Sequence, residues 1–270
     1  MKKSKLVLFL LGFASVLFLA LSFIITYDGD PVYFSGFVPE WAKATLSVNS
    51  PWHDILTVMI VVLLIAAGYF AGSMNFAIMI SKEKYGDDIR KYGSGNAGMT
   101  NMIRVYGKKA GLLTLLGDSL KTSAVVLLGR FLAGESGAYI AGLFCVLGHI
   151  APVWYKFKGG KGVVASAIAI LIINPLYFLI EIAVFAAIYF TSHYVSMASV
   201  AAAFIYPAVV FYGAKARFGG EVSAPVTGMI FATFIGLFII FKHRSNIRRV
   251  YYGQEKKTYF FKKKKDEVDE

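Results

Sequence analysis

VVASAIAILIINPLYFLIEIAVFAAIYF, residues Val163 to Phe190, is a largely apolar stretch interrupted by Asn174-Pro175. Proline disfavours helical geometry in the residue before it, so Asn174-Pro175 divides the stretch. The reading is a short half-spanning helix followed by a second helix from about Leu176. Outward from this stretch, further runs approach the ~20 apolar residues that a bilayer crossing needs. They are Leu6 to Thr26, Ile55 to Ile80, Gly111 to Leu132, Ala138 to Tyr155, Tyr194 to Gly213 and Val222 to Phe241. With 57% hydrophobic residues in 270, the chain reads as an all-α polytopic membrane protein with eight membrane segments.

The net charge of +12 lies mainly outside the apolar runs. Cations beside span ends mark the cytoplasmic side. Lys2, Lys3 and Lys5 therefore place the N-terminus inside, and eight segments return the C-terminus, with Lys256, Lys257 and Lys262 to Lys265, to the same side. Lys215 and Arg217, on the predicted outer side, are outweighed by these clusters. The cations form no basic domain of the kind that binds nucleic acid, and anionic lipid headgroups are the partners they fit. Cys145, the one cysteine, falls inside a span, which excludes an intrachain disulfide and a thiolate metal cluster. Leu6 to Thr26 lacks a nearby small-residue cleavage pattern and reads as an uncleaved span, with Tyr27 to Asp54 as an outer loop. Residues 254–270 read as a charged cytoplasmic tail, too polar to fold alone.

Three polar clusters abut these spans, all on the predicted cytoplasmic face. GSGNAGMTNMIR runs from Gly93 to Arg104. Its glycines, Gly95 among them, allow close approach of backbone to a ligand, and Ser94 or Asn96 is expected to cap the helix that follows. A helix N-terminus favours anions, and Thr100, Asn101 and Arg104 fall on neighbouring parts of one helical face. An arginine there can hold two phosphate oxygens at once. FKGGKG, from Phe157 to Gly162, surrounds Lys161 with Gly159, Gly160 and Gly162, forming an anion nest that lacks the spacing of a Walker A loop. KHRSNIRR, from Lys242 to Arg249, sets His243 and Asn246 three apart on one helical face. His243 has two readings, a general base or a hydrogen-bonding group. Each cluster also has a plainer reading, as a glycine turn, a cationic loop or a surface-cation run. His149 reads as a buried structural hydrogen-bonder, and Asp118 and Lys121, three apart within a span, as a mutual ion pair. No histidine is followed five positions later by aspartate, and there is neither an Asp-rich two-metal set nor a serine nucleophile elbow. No metal or cofactor is expected. An enzyme and a transporter for an anionic phosphate-containing solute both remain open from these residues alone, although a transporter leaves the clustering on one face unexplained.

GSGNAGMTNMIRVYGKKAG, GHIAPVWYKFKGGKG and KHRSNI resemble, in order and spacing, the three motifs of the bacterial acyl-phosphate:glycerol-3-phosphate acyltransferases of the PlsY family. The resemblance runs over roughly Ile55 to Gly253. It departs at Ala97, Met99 and His193. It implies a seven-helix acyltransferase core over 55–253 that includes the half-spanning helix, preceded by an extra N-terminal transmembrane helix and outer loop over 1–54. It further implies that Ser94, Arg104 and Lys161 form a phosphate pocket, that His243 and Asn246 meet glycerol phosphate, and that Ser199 joins the same clamp. The implied reaction joins an acyl phosphate to the sn-1 hydroxyl of glycerol 3-phosphate at the bacterial plasma membrane. The enzyme that forms acyl phosphate becomes a candidate partner.

Overall fold

The structure, a computed structural model, describes residues 51–217 and 226–259. The predicted first span, most of the predicted outer loop, residues 222–225 of the last predicted span and residues 260–270 lie outside the described residues. Those described form helices with no strand among them.

Helix α1 (Pro51–Ser73) opens on a proline, which fits a first helical position because its missing N–H has no intrahelical partner there. The predicted boundary at residue 54 thus falls inside α1. The predicted span Ile55 to Ile80 is not one helix. It breaks after Ser73, and Asn75 starts α2 (Phe76–Tyr85) by accepting a hydrogen bond from the Ile78 amide at 3.1 Å. Carbonyls released by such a break need other donors in a membrane. Lys121 Nζ supplies them, donating to Gly72 O at 3.1 Å and Met74 O at 2.6 Å.

After α3 (Met99–Tyr106) comes α4 (Lys108–Ile150). As one straight rod its 43 residues would extend about 64 Å, yet Lys121 Nζ lies 3.2 Å from His149 Nδ1. The chain reverses at Ala133 and Gly134, where φ is −139° and 63°. The arms 108–132 and 135–150 therefore form a hairpin and match the two predicted spans. A Cβ on Gly129 would strike the Gly137 carbonyl, and one on Gly137 would strike the Gly129 carbonyl, so glycine allows the arms this close an approach. The second predicted span does not continue helically to Tyr155. Ala151 ends the helix before Pro152, and a 3-10 turn follows at Val153–Tyr155.

Residues 136–150 are buried all round, which puts the second arm at the centre of the bundle. Helix α1 packs directly on it, since a side chain on Gly72 would meet the Cys145 backbone. Cys145 is fully buried there as a packing residue.

The divided stretch forms as its sequence predicts. Helix α5 (Val163–Ile173) has 11 residues and rises about 16 Å, roughly half of a bilayer core. Asn174 ends it and caps α6 (Pro175–Ser192) by accepting from the Tyr177 amide at 3.1 Å, with Pro175 in the first turn. Arg130 Nη1 donates to the carbonyls of Ile172 at 2.8 Å and Ile173 at 3.4 Å, completing the end of the half-helix. Helices α7 (Val195–Arg217), α8 (Val226–Lys242) and α9 (Arg244–Tyr251) follow, with a 51° bend at His243 between the last two. By length and composition, four stretches among the described residues can cross a membrane, one of them the α4 hairpin region, and the bent α8–α9 pair makes a fifth.

Candidate active site

The first cluster folds as a loop pinned from beneath. Asn101, 1% exposed, accepts from the Ser94 amide at 2.9 Å and donates to the carbonyls of Tyr92 at 3.0 Å and Ile89 at 3.3 Å. Its side chain is thus committed to the backbone, although the residue borders the cavity described below. Gly93, at φ 59°, passes over Asn101 with no room for a Cβ. Asn75 Nδ2 holds the other end of the loop through Ala97 O at 3.3 Å. Neither Ser94 nor Asn96 caps α3, contrary to expectation. Gly98 is the N-cap and offers no side-chain acceptor. Ser94, Asn96, Thr100 and Arg104 all line the cavity.

In the second cluster the glycines divide into two roles. The amides of Gly159 and Gly160 donate to Ile150 O at 3.2 Å and His149 O at 3.1 Å, folding the loop onto the end of the central arm. A Cβ on either would strike His149. Their predicted part as ligand-binding amides is therefore corrected to close packing, and the Gly95 amide is likewise occupied, donating to Tyr92 O at 2.9 Å. Gly162, at φ 84°, starts α5 and borders the cavity with Lys161.

Lys161 Nζ donates to Asn246 Oδ1 at 2.5 Å, joining the second cluster to the third. Burial pulls the Lys161 ammonium down to about 8, with Glu255 opposing the shift and Arg249, Lys242 and Arg104 adding to it. His243 lies at the bend, beyond the end of α8, and is 3% exposed. Its Nδ1 is 2.8 Å from the Ile239 carbonyl, which can only accept, so Nδ1 carries the proton and Nε2 is left as an acceptor. Burial, followed by the nearby charge of Lys161, pushes the imidazole down to about 4.

These groups surround a cavity of about 300 Å³. Asp118 and His149 form its inner wall, held by Lys121 at 2.7 Å from Asp118 Oδ1. Ser199 also lines it, with its hydroxyl turned back to Val195 O at 2.8 Å. An apolar groove of about 170 Å³ between α5, α6, α7 and α8 shares Val163, Val164, Phe185 and Ser199 with the cavity. A polar chamber thus opens directly onto an oily one, a shape suited to a molecule with an anionic head and an apolar tail.

Sequence reasoning missed Glu255. Its sequence context places it in a tail too polar to fold alone, but residues 254–259 form a strap across the cavity. Thr258 N donates to His193 O at 3.0 Å and Tyr189 Oη to Thr258 O at 2.8 Å. Glu255 lines the cavity, accepting from Asn246 Nδ2 at 2.6 Å and Arg249 Nε at 2.6 Å. Its nine-residue spacing from Asn246 belongs to no helical face, and the lysines around it make it look like solvated charge.

The sequence profile of the glycerol-3-phosphate acyltransferase family matches residues 62–253. The glycerol-3-phosphate acyltransferase of Finegoldia magna is 40% identical over 199 residues, 70% of this chain and 91% of that protein. That of Exiguobacterium sibiricum is 39% identical over 202 residues, 75% of this chain and 95% of that protein. Among solved structures, the glycerol 3-phosphate form of PlsY (YgiH), an integral membrane glycerol 3-phosphate acyltransferase, is similar with a TM-score of 0.67 and 34% identity, covering 74% of this chain and 96% of that one. Its lysophosphatidic acid form gives a TM-score of 0.64 at 32% identity over 74% of this chain and 95% of that one. With the family match spanning most of the chain and its three polar motifs drawn around one cavity, this protein belongs to the glycerol-3-phosphate acyltransferase family and is an integral membrane enzyme of phospholipid synthesis.

Proposed function

We propose that the enzyme transfers an acyl chain from an acyl phosphate to the sn-1 hydroxyl of glycerol 3-phosphate, releasing lysophosphatidate and phosphate on the cytoplasmic side of the membrane. The observation that carries this reading is the joining of a cation-lined cavity to an apolar groove. An acyl phosphate needs both compartments. Arg104 and Lys161, with the Ser94 hydroxyl, receive its phosphate, and Asn246 and His243 hold the glycerol phosphate. The sn-1 oxygen attacks the acyl carbonyl carbon, the bond from that carbon to the phosphate oxygen breaks, and phosphate leaves with the electron pair. Arg104 and Lys161 offset the repulsion between two anionic substrates and stabilise the departing charge.

An imidazole held near 4 is a poor proton acceptor at neutral pH, because general bases work best near the operating pH. Its Nε2 lone pair still orients the hydroxyl. The departing phosphate keeps the electron pair on the oxygen freed from the acyl carbon, and that oxygen is the better place for the proton. Because the glycerol 3-phosphate hydroxyl attacks the acyl carbonyl directly, this scheme needs no covalent acyl-enzyme. An acyl-phosphate-forming enzyme would be the natural supplier of so reactive a donor.

The test uses purified protein in a membrane mimetic, with glycerol 3-phosphate and, in turn, acyl phosphate, acyl-CoA and acyl carrier protein donors. Lysophosphatidate should form only with acyl phosphate, one phosphate being released per product. Comparable turnover with acyl-CoA would overturn the donor assignment.

A further inference from the structure

Among the described residues lining the apolar groove, Glu181 is the single charged one. It lies on α6, only 8% exposed, and its Oε1 is buried without a hydrogen-bond partner. Nearby serines do not serve it. Ser166 donates to Gly162 O and Ser199 to Val195 O, each at 2.8 Å within its own helix. An ionisable group is expensive at membrane depth and marks a substrate path more often than a packing position. An unsatisfied carboxyl in an otherwise oily groove therefore calls for a ligand group.

The groove's occupant follows from its continuity with the cavity. Phe185 borders both chambers, and Glu181 lies one turn deeper on α6, about 6 Å along the helix. With the acyl carbonyl at the polar end, the chain would pass Glu181 a few carbons below that carbonyl. A saturated chain has nothing to offer there and leaves the carboxyl dehydrated and unpaired. A hydroxyl does better. It can donate to a carboxylate or accept from a protonated carboxyl, so it satisfies Glu181 in either state.

We propose that Glu181 is a specificity-determining residue that selects acyl donors bearing a hydroxyl on the chain, within a few carbons of the reacting carbonyl. This rests on the acyl-phosphate reading above. Sites built to bond a substrate hydroxyl discriminate against analogues lacking it more strongly than hydrophobic pockets discriminate by size.

The experiment compares palmitoyl phosphate with a positional series of monohydroxylated palmitoyl phosphates, using the full chain in lipid nanodiscs. One position in the series should exceed palmitoyl phosphate in kcat/KM by at least about tenfold. Glu181→Gln should keep part of that preference, and Glu181→Leu should abolish it. The preference itself is read on the unaltered protein, so a variant that fails to fold does not remove the test. Equal or better use of palmitoyl phosphate than of every hydroxylated donor would overturn the proposal, as would a preference undiminished in Glu181→Leu. No turnover of any acyl phosphate would overturn the donor reading instead. In that event, displacement of bound plain lysophosphatidate by its hydroxylated analogue, read as binding to the full chain in nanodiscs, still reads the groove. Tighter binding of the hydroxylated analogue supports the role of Glu181, and equal binding ends it.

Discussion

Lys161 Nζ donates to Asn246 Oδ1 at 2.5 Å, joining two residues 85 positions apart across the mouth of the half-helix. The same amide group donates through Nδ2 to Glu255 Oε1 at 2.6 Å. Asn246 therefore orients a lysine on one side and is itself oriented by a carboxylate on the other. Its carbonyl oxygen and amide nitrogen cannot exchange places without facing two donors together and two acceptors together.

Removing either cation should disable the phosphate site. Charge-assisted hydrogen bonds are worth about 1.5 to 3 kcal/mol, so Arg104→Ala or Lys161→Ala should lower kcat/KM at least tenfold. Steady-state phosphate release, with folding checked by size-exclusion profile and thermal melting, measures this. Near wild-type rates in both variants would remove these residues from the mechanism.

The alkaline side of the pH profile should belong to Lys161. Held at about 8, it is charged below that pH and loses its proton as pH rises through it. In the free enzyme, kcat/KM for glycerol 3-phosphate should fall above pH 8, while Lys161→Arg should move that fall upward because arginine stays charged. His243, held near 4, stays neutral across the neutral range and should contribute no limb near 6.5. Profiles of the wild type and Lys161→Arg that coincide would contradict the assignment.

Glu255 should matter although it lies past the end of the family match. Glu255→Ala leaves Arg249 and Asn246 without their acceptor, and loss of a charged partner in a largely buried site costs about 1 to 3 kcal/mol. We expect a rise in KM for glycerol 3-phosphate, and Glu255→Gln should recover part of it by still accepting from Asn246. If Glu255→Ala shows unchanged kinetics, the strap is not part of the site.

Arg130 should support the fold without taking part in catalysis. Its guanidinium satisfies the Ile172 and Ile173 carbonyls at the end of α5, where the half-helix stops short of crossing. Arg130→Met leaves them without that donor and should lower the melting temperature in detergent, at a cost of about 1 to 3 kcal/mol. An unchanged melting temperature would show that other donors satisfy this helix end.

The local parts of this protein were legible in its sequence because they obey short-range rules. Asn174-Pro175 divides its stretch through proline sterics and a side-chain cap, both acting within a few residues. The hairpin arms 108–132 and 135–150 follow from two apolar runs with a glycine-containing gap, and the Asp118–Lys121 pair from helical spacing within a span. The three polar clusters were recognisable by residue type and order. Tertiary structure decided what each polar atom faces. Asn101 looked like a substrate ligand on a helical face but turns under the loop, because the carbonyls of Ile89 and Tyr92 are there to accept from it. Gly159 and Gly160 looked like an anion nest, yet the central arm lies so close that their amides bond to its end. The break after Ser73 depends on a lysine 47 positions beyond Met74, and the place of Glu255 in the cavity depends on the strap returning to His193. Sequence period and composition determine which segments enter the membrane. Only the folded bundle, by bringing distant backbones within hydrogen-bonding distance, determines which polar groups remain available for chemistry.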